Sequence, residues 1–237
     1  MLCPVISPAA TGLCLFAEPH LDAAGQVRIL PEGGKRLVAF TALSGGRVDR
    51  RQAAGVLWPV GDDVRAVGNL RSALWRLHAA GLDILDADKR QVWIRAGIEL
   101  DTEALSEWAA RLVAGGPAHP AADDEWWRHA RSGLLPGWRD EWVTPHRERL
   151  RQRVLHAMEA AAARLIRGRD YARAAAVARQ VVAAEPLRES AHRVLAEALQ
   201  SAGRTAEARA AYSAFRSAAS TRFGPRAGAT IRAALAL

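Results

Sequence analysis

Arg65, Asn69, Ser72 and Arg76 recur at intervals of 4, 3 and 4 within the stretch DDVRAVGNLRSALWRLHAAG, residues 62–81. At helical period they share one face, and Val64, Val67, Leu70, Leu74 and Leu77 share the opposite one. Beyond its first turn the polar face carries no acid. Arginine can grip guanine O6 and N7, and asparagine adenine N6 and N7, so this face offers the groups that read base edges in a major groove. Catalytic constellations are missing. Gly34-Lys35 lacks the upstream glycine and the following Ser or Thr of a phosphate loop, and neither G-x-S-x-G nor H-E-x-x-H occurs. The seven histidines are scattered, and His192 reads as structural. Asp62-Asp63 reads as a helix cap, and Asp83, Asp86 and Asp88 as a solvated turn without the Gly and Glu of a calcium loop. The expectation is a protein that is not an enzyme and needs no cofactor and no metal.

The 237-residue chain has room for one or two domains, and its net charge of +8 with a pI near 10.7 suits a polyanionic partner. Residues 34–95 hold eleven Lys or Arg against six Asp. Arg50 and Arg51 open a short helix and Lys89-Arg90 form a hairpin tip. With Arg71 these are the expected phosphate contacts. Cys3 and Cys14 show no metal spacing, no apolar run approaches a membrane span, and no signal peptide is expected because no basic region stands before the N-terminal apolar stretch. A reducing cytoplasm is the expected compartment.

Those residues need elements to hold them. LCLFAE and QVRIL read as strands closed by Pro31 and a glycine pair, and GKRLVAFTALSGG as a helix stopped at Gly45-Gly46. A helix over 50–57 follows, capped by Asp49 and ended by Pro59, then the helix of 62–81 and a hairpin around DADKR. Strand, three helices and hairpin is the layout of a winged helix-turn-helix. DTEALSEWAARLV is helical, AGGPAHPAADD reads as a flexible break, and EWWRHARSGLLPGWRDEW as turn-rich. From 145 onward the pattern is helical, broken at Gly168, Pro186, Gly203 and Gly224-Pro225. At an offset of 34 residues Ala174 meets Ala208, Ala178 meets Tyr212 and Val181 meets Phe215, the tetratricopeptide period. Trp58, Trp75 and Trp93 are of a type that stacks on bases, but Trp75 borders the apolar stripe and reads as core. Trp126, Trp127, Trp138 and Trp142 read as packing at the domain junction.

RRQAAGVLWPVGDDVRAVGNLRSALWRL, LLPGWRDEWV, RERLRQRVLHAMEAAAARL and AAEPLRESAHRVLAEALQSAGRTAEARAAY resemble the Streptomyces antibiotic regulatory protein (SARP) family over residues 12–225. The resemblance implies an OmpR-type winged helix joined to a bacterial transcriptional activator domain, with 63–80 as the DNA-reading helix and 83–95 as the wing. It further implies binding to direct repeats as a homodimer or tandem pair, recruitment of RNA polymerase, and control of a biosynthetic gene cluster. Arg139, Asp140 and Glu141 after LLPGW, and the Thr144-Pro145-His146 step, depart from the family pattern. The short first segment points to a reduced N-terminal sheet. The fold expected is mainly α, a winged helix at 12–100 followed by an all-α tetratricopeptide-like domain at 101–237. The rival reading is a tetratricopeptide interaction scaffold whose winged helix no longer binds double-stranded DNA.

Overall fold

The computed structural model describes residues 10–23, 25–116 and 120–223, so Cys3 and the Gly224-Pro225 break lie outside it. Three short strands open the described chain: β1 (Thr11–Cys14), β2 (His20–Ala23) and β3 (Gln26–Ile29). Three helices follow in α1 (Glu32–Leu43), α2 (Arg50–Leu57) and α3 (Asp63–Ala79), with β4 (Arg47–Asp49) between the first two. The wing is β5 (Leu85–Ala87) and β6 (Gln91–Ile94), and β7 (Ile98–Leu100) comes next. β7 pairs parallel to β1 and completes a four-stranded sheet in the order β3-β2-β1-β7. The N-terminal sheet is therefore full rather than reduced, and it holds two strands, β2 and β7, that the apolar runs alone do not announce. A second sheet, β4-β6-β5, carries the wing.

The glycine pair 33-34 does not turn the chain. It lies inside the first turn of α1, and a Cβ on Gly34 would stand 2.7 Å from the Leu77 side chain of α3. A Cβ on Gly33 would meet the flexible end of Arg76. Glycine is needed here because the start of α1 seats the end of α3 at closer range than any side chain allows. Leu37, Phe40, Val48, Leu57, Leu70 and Val92 fill the core that follows.

The chain continues through α4 (Asp101–Val113), α5 (Pro120–Ser132), a 3-10 turn at Glu141–Val143 and α6 (Thr144–Arg167). The tetratricopeptide-like part adds α7 (Tyr171–Ala184), α8 (Glu189–Ser201) and α9 (Thr205–Phe223). α5 replaces much of the expected flexible break. Its Pro120 occupies a first-turn position, where proline's missing N–H costs nothing. Two compact units emerge, one of residues 1–107 with 120–151 and one of 108–119 with 152–237.

In the first unit, the Asp101 carboxylate is fully buried and accepts from the backbone N–H of Leu15 at 2.6 Å and of Phe16 at 3.1 Å. His129 of α5 approaches the same carboxylate at 3.5 Å and packs on the Phe16 ring. The LLPGW turn is held by Arg147, whose guanidinium donates to the carbonyls of Leu134, Leu135 and Trp138. Trp142 meets Phe40 edge-to-face at 5.2 Å and Trp138 at 6.3 Å. Trp142 thus joins the stretch after residue 100 to the core of the winged helix, within the first unit.

In the second unit the 34-residue repeat holds: Ala174, Ala178, Val181, Ala208, Tyr212 and Phe215 are all buried. It also begins earlier than expected. Ala162 and Ala196 stand 34 residues apart and are both fully buried, which makes α6–α7 and α8–α9 the equivalent pairs. Small residues at these crossings let the helices approach. Arg188 locks the α7–α8 turn by pairing with Glu159 and Glu185. His192 bonds the Pro186 carbonyl at 2.9 Å and packs on Phe215, as a structural histidine should.

Candidate nucleic-acid interface

α2 and α3 form the helix-turn-helix. Asp49 caps α2 by accepting from the N–H of Arg51 and Gln52, and Asp62 caps α3 by accepting from the N–H of Arg65 at 2.7 Å. Both aspartates serve as backbone acceptors, as the sequence suggests. The buried face of α3 is Ala66, Leu70, Ala73 and Leu77. The apolar stripe is thus rotated from the one expected. Val64 is 78% exposed and Trp75 69% exposed, so Trp75 is not a core residue. Ala66 and Ala73 alternate with Leu70 and Leu77 on the buried face.

Arg65, Ser72 and Arg76 are exposed and Asn69 is half-buried along one flank of α3. Arg65 curls over Gly61, and the Ser72 hydroxyl donates to the Gly68 carbonyl at 3.1 Å. The Arg76 side chain lies over Gly33 of α1. Arg71 lies on the opposite flank. With Arg51, Ala54, Gly55, Asp63, Val64, Ala66 and Val67 it lines a groove of about 360 Å³ between α2 and α3.

The wing sits beside α2 because β4, which leads into α2, pairs with β6, setting Asp49 opposite Gln91. Arg50 closes this junction: its N–H donates to the Arg90 carbonyl at 2.8 Å and its guanidinium to the Asp88 carbonyl at 2.6 Å. Asp88 accepts from the N–H of both Arg90 and Gln91 at 2.7 Å, which fixes the wing turn and holds its carboxyl below the usual range. Lys89 and Arg90 in that turn are exposed. Arg47 joins the same cluster, with its guanidinium 5.0 Å from the Trp93 ring and bonded to Gln91. Arg47 is a surface cation that the helical pattern does not single out, since its place comes from the β4–β6 pairing.

Three of the eleven basic residues serve the fold instead. Lys35 is buried, and although burial disfavours its charge, Glu18 and Glu32 together raise its pKa. Arg36 pairs with Asp140, and Arg95 with Asp83 and Asp86. The surface cations are therefore Arg47, Arg50, Arg51, Arg65, Arg71, Arg76, Lys89 and Arg90, all on α2, α3 and the wing sheet. Among the described residues no cluster of three metal-ligating side chains forms, and no helix is long and apolar enough to cross a membrane.

A winged helix-turn-helix carrying a segregated basic surface, followed by tetratricopeptide-like helices, defines a transcription regulator. Residues 86–236 match the model of the bacterial transcriptional activator domain. The chain belongs to that family and is a regulator of the SARP type, as its motifs implied. Its fold is similar to that of Mycobacterium tuberculosis EmbR, solved in complex with a low-affinity phosphopeptide. The TM-score is 0.73 at 18% identity, over 96% of this chain and 64% of that one. This chain thus spans less than two thirds of that protein's length. No curated protein matches the sequence.

Proposed function

We propose that this transcriptional activator binds double-stranded DNA in sequence-specific fashion through residues 12–100, and engages RNA polymerase through residues 101–237. The observation that carries the reading is the outward surface of α3, which has no acid after Asp63 and shares a groove with Arg51 and Arg71, while Lys89 and Arg90 lie in the wing turn tied to the start of α2. A scaffold whose winged helix contacts only proteins has no need to keep acids off that surface. In this reading Arg65, Asn69, Ser72 and Arg76 address base edges, while Arg50, Arg51, Arg71, Lys89 and Arg90 address phosphates. Two copies bind side by side on direct repeats spaced at about one helical turn, roughly 10–11 base pairs, in the cytoplasm. The regulated genes are those of a biosynthetic cluster, as in the SARP family.

The test is salt titration of the full chain on a duplex selected from a random library. With eight candidate surface cations, log K should fall against log salt with a slope of about −5 to −7. Asn69→Ala or Arg76→Ala should cost about 1–3 kcal/mol on that duplex and relax its sequence preference. A flat salt dependence would leave the scaffold reading standing.

A further inference from the structure

The most outward strip of α3 is not its arginine flank. Val64, Gly68, Ser72 and Trp75, spaced 4, 4 and 3, lie opposite the buried Ala66–Leu70–Ala73–Leu77 face. Two large apolar side chains stand there in solvent, Val64 at 78% and Trp75 at 69% exposure. Between them is a glycine in mid-helix, where glycine disfavours the helix relative to alanine. Nothing inside the protein requires it, since a Cβ built on Gly68 meets no atom within 4 Å. Gly34, by contrast, is explained by Leu77. An apolar strip with an unexplained glycine, flanked by Arg65 and Arg71 and free of acid, is shaped for a ligand that is polyanionic outside and carries apolar groups within. A major groove is such a ligand, and its apolar group is the thymine C5 methyl.

We propose that this strip reads thymine: Val64 and Trp75 contact thymine methyl groups, and Gly68 is where the helix comes closest to the base edges. The proposal rests on the DNA-binding reading and adds to it the base preference. Val64 and Trp75 stand about 16 Å apart along the helix, so they address different base pairs. The arginine flank then supplies guanine contacts and orientation, and the apolar strip supplies a preference that no hydrogen bond on α3 encodes.

The probe is the duplex selected by the full chain from a random library, resynthesised with uracil replacing thymine at one position at a time. Uracil keeps every hydrogen bond and lacks only the methyl. Replacement at one or more positions should weaken binding about four-fold per methyl. V64A or W75A should bind thymine and uracil duplexes alike at such a position. G68A should melt no lower than the parent, since its Cβ has open space, yet bind the thymine duplex more weakly. Indifference to uracil at every position, or a thymine preference that survives both V64A and W75A, overturns the proposal while leaving DNA binding intact. Failure to enrich any duplex overturns the DNA-binding reading, and this one with it.

Discussion

Residues 1–151 hold nineteen Lys or Arg and nineteen Asp or Glu, whereas residues 152–237 hold fourteen and six. The chain's whole net charge of +8 thus belongs to the segment that forms most of the helical unit, and the segment containing the winged helix is neutral in sum. In the helical unit the six acids are spread among the arginines: Arg173 pairs with Asp170, Arg179 and Arg204 share Glu207, and Arg188 pairs with Glu159 and Glu185. In the winged-helix unit the signs are sorted. Acids hold backbone at Asp49, Asp62, Asp88 and Asp101, or pair with Lys35, Arg36 and Arg95, and the one that reaches α3, Asp83, meets His78 in its last turn. The difference teaches that segregation of charge, not its total, marks the surface proposed to meet a polyanion.

The comparison can be broken most forcefully from inside. Asp101→Ala strips the acceptor from two buried N–H groups in the winged-helix unit and should cost about 3–5 kcal/mol of that unit's stability. Denaturant melts followed at the two units' tryptophans should show the loss. Ala196→Trp is the counterpart in the helical unit. By overpacking the α8 crossing it should cost about 1–3 kcal/mol or more and abolish activation in a purified polymerase assay, while operator binding survives. Gly34→Ala should cost about 1–3 kcal/mol through its clash with Leu77, and it tests whether α3 is seated as described.

Surface substitutions sharpen the contrast with smaller effects. Arg51→Ala should flatten the salt slope of DNA binding by about one, whereas substitution of the exposed Arg209 of α9, Arg209→Ala, should leave it unchanged. An equal change at both positions would mean that total charge governs binding after all. The smallest effect expected is on pH. Burial holds the His192 imidazole below its ordinary 6.5, so the unfolded chain takes up its proton first. The contribution is intact above pH 6.5 and lost as pH falls through the folded value. Melting temperature should slope downward in acid, and His192→Gln should reduce that slope whatever it does to the plateau.

Much of this was readable in the residues. The α3 helix, the wing around DADKR and the 34-residue alanine repeat all announce themselves by period or spacing. What escaped depends on partners far away in sequence. β7 is three residues long and is a strand only because β1 lies 87 residues earlier. Gly33-Gly34 looks like a turn until Leu77 is placed against it. Pro120 and its alanines look like linker because proline marks both loops and helix starts. Trp75 misleads for another reason, since hydrophobicity alone does not say whether a tryptophan is covered by its own chain. On the candidate site, Arg47 counts only as one of eleven basic residues in the sequence, because strand pairing, not helical spacing, brings it to the wing sheet.

The two units interleave along the chain: residues 108–119 belong to the second, and 120–151 return to the first. During synthesis the winged-helix unit therefore cannot finish folding when residue 100 leaves the ribosome. It must wait for Leu135 to bond the Leu15 carbonyl and for Trp142 to reach Phe40. Recombination between related genes meets the same restriction. A crossover near residue 100 would give each daughter a winged helix whose last wall came from a different parent, while one after residue 151 would pass it on whole.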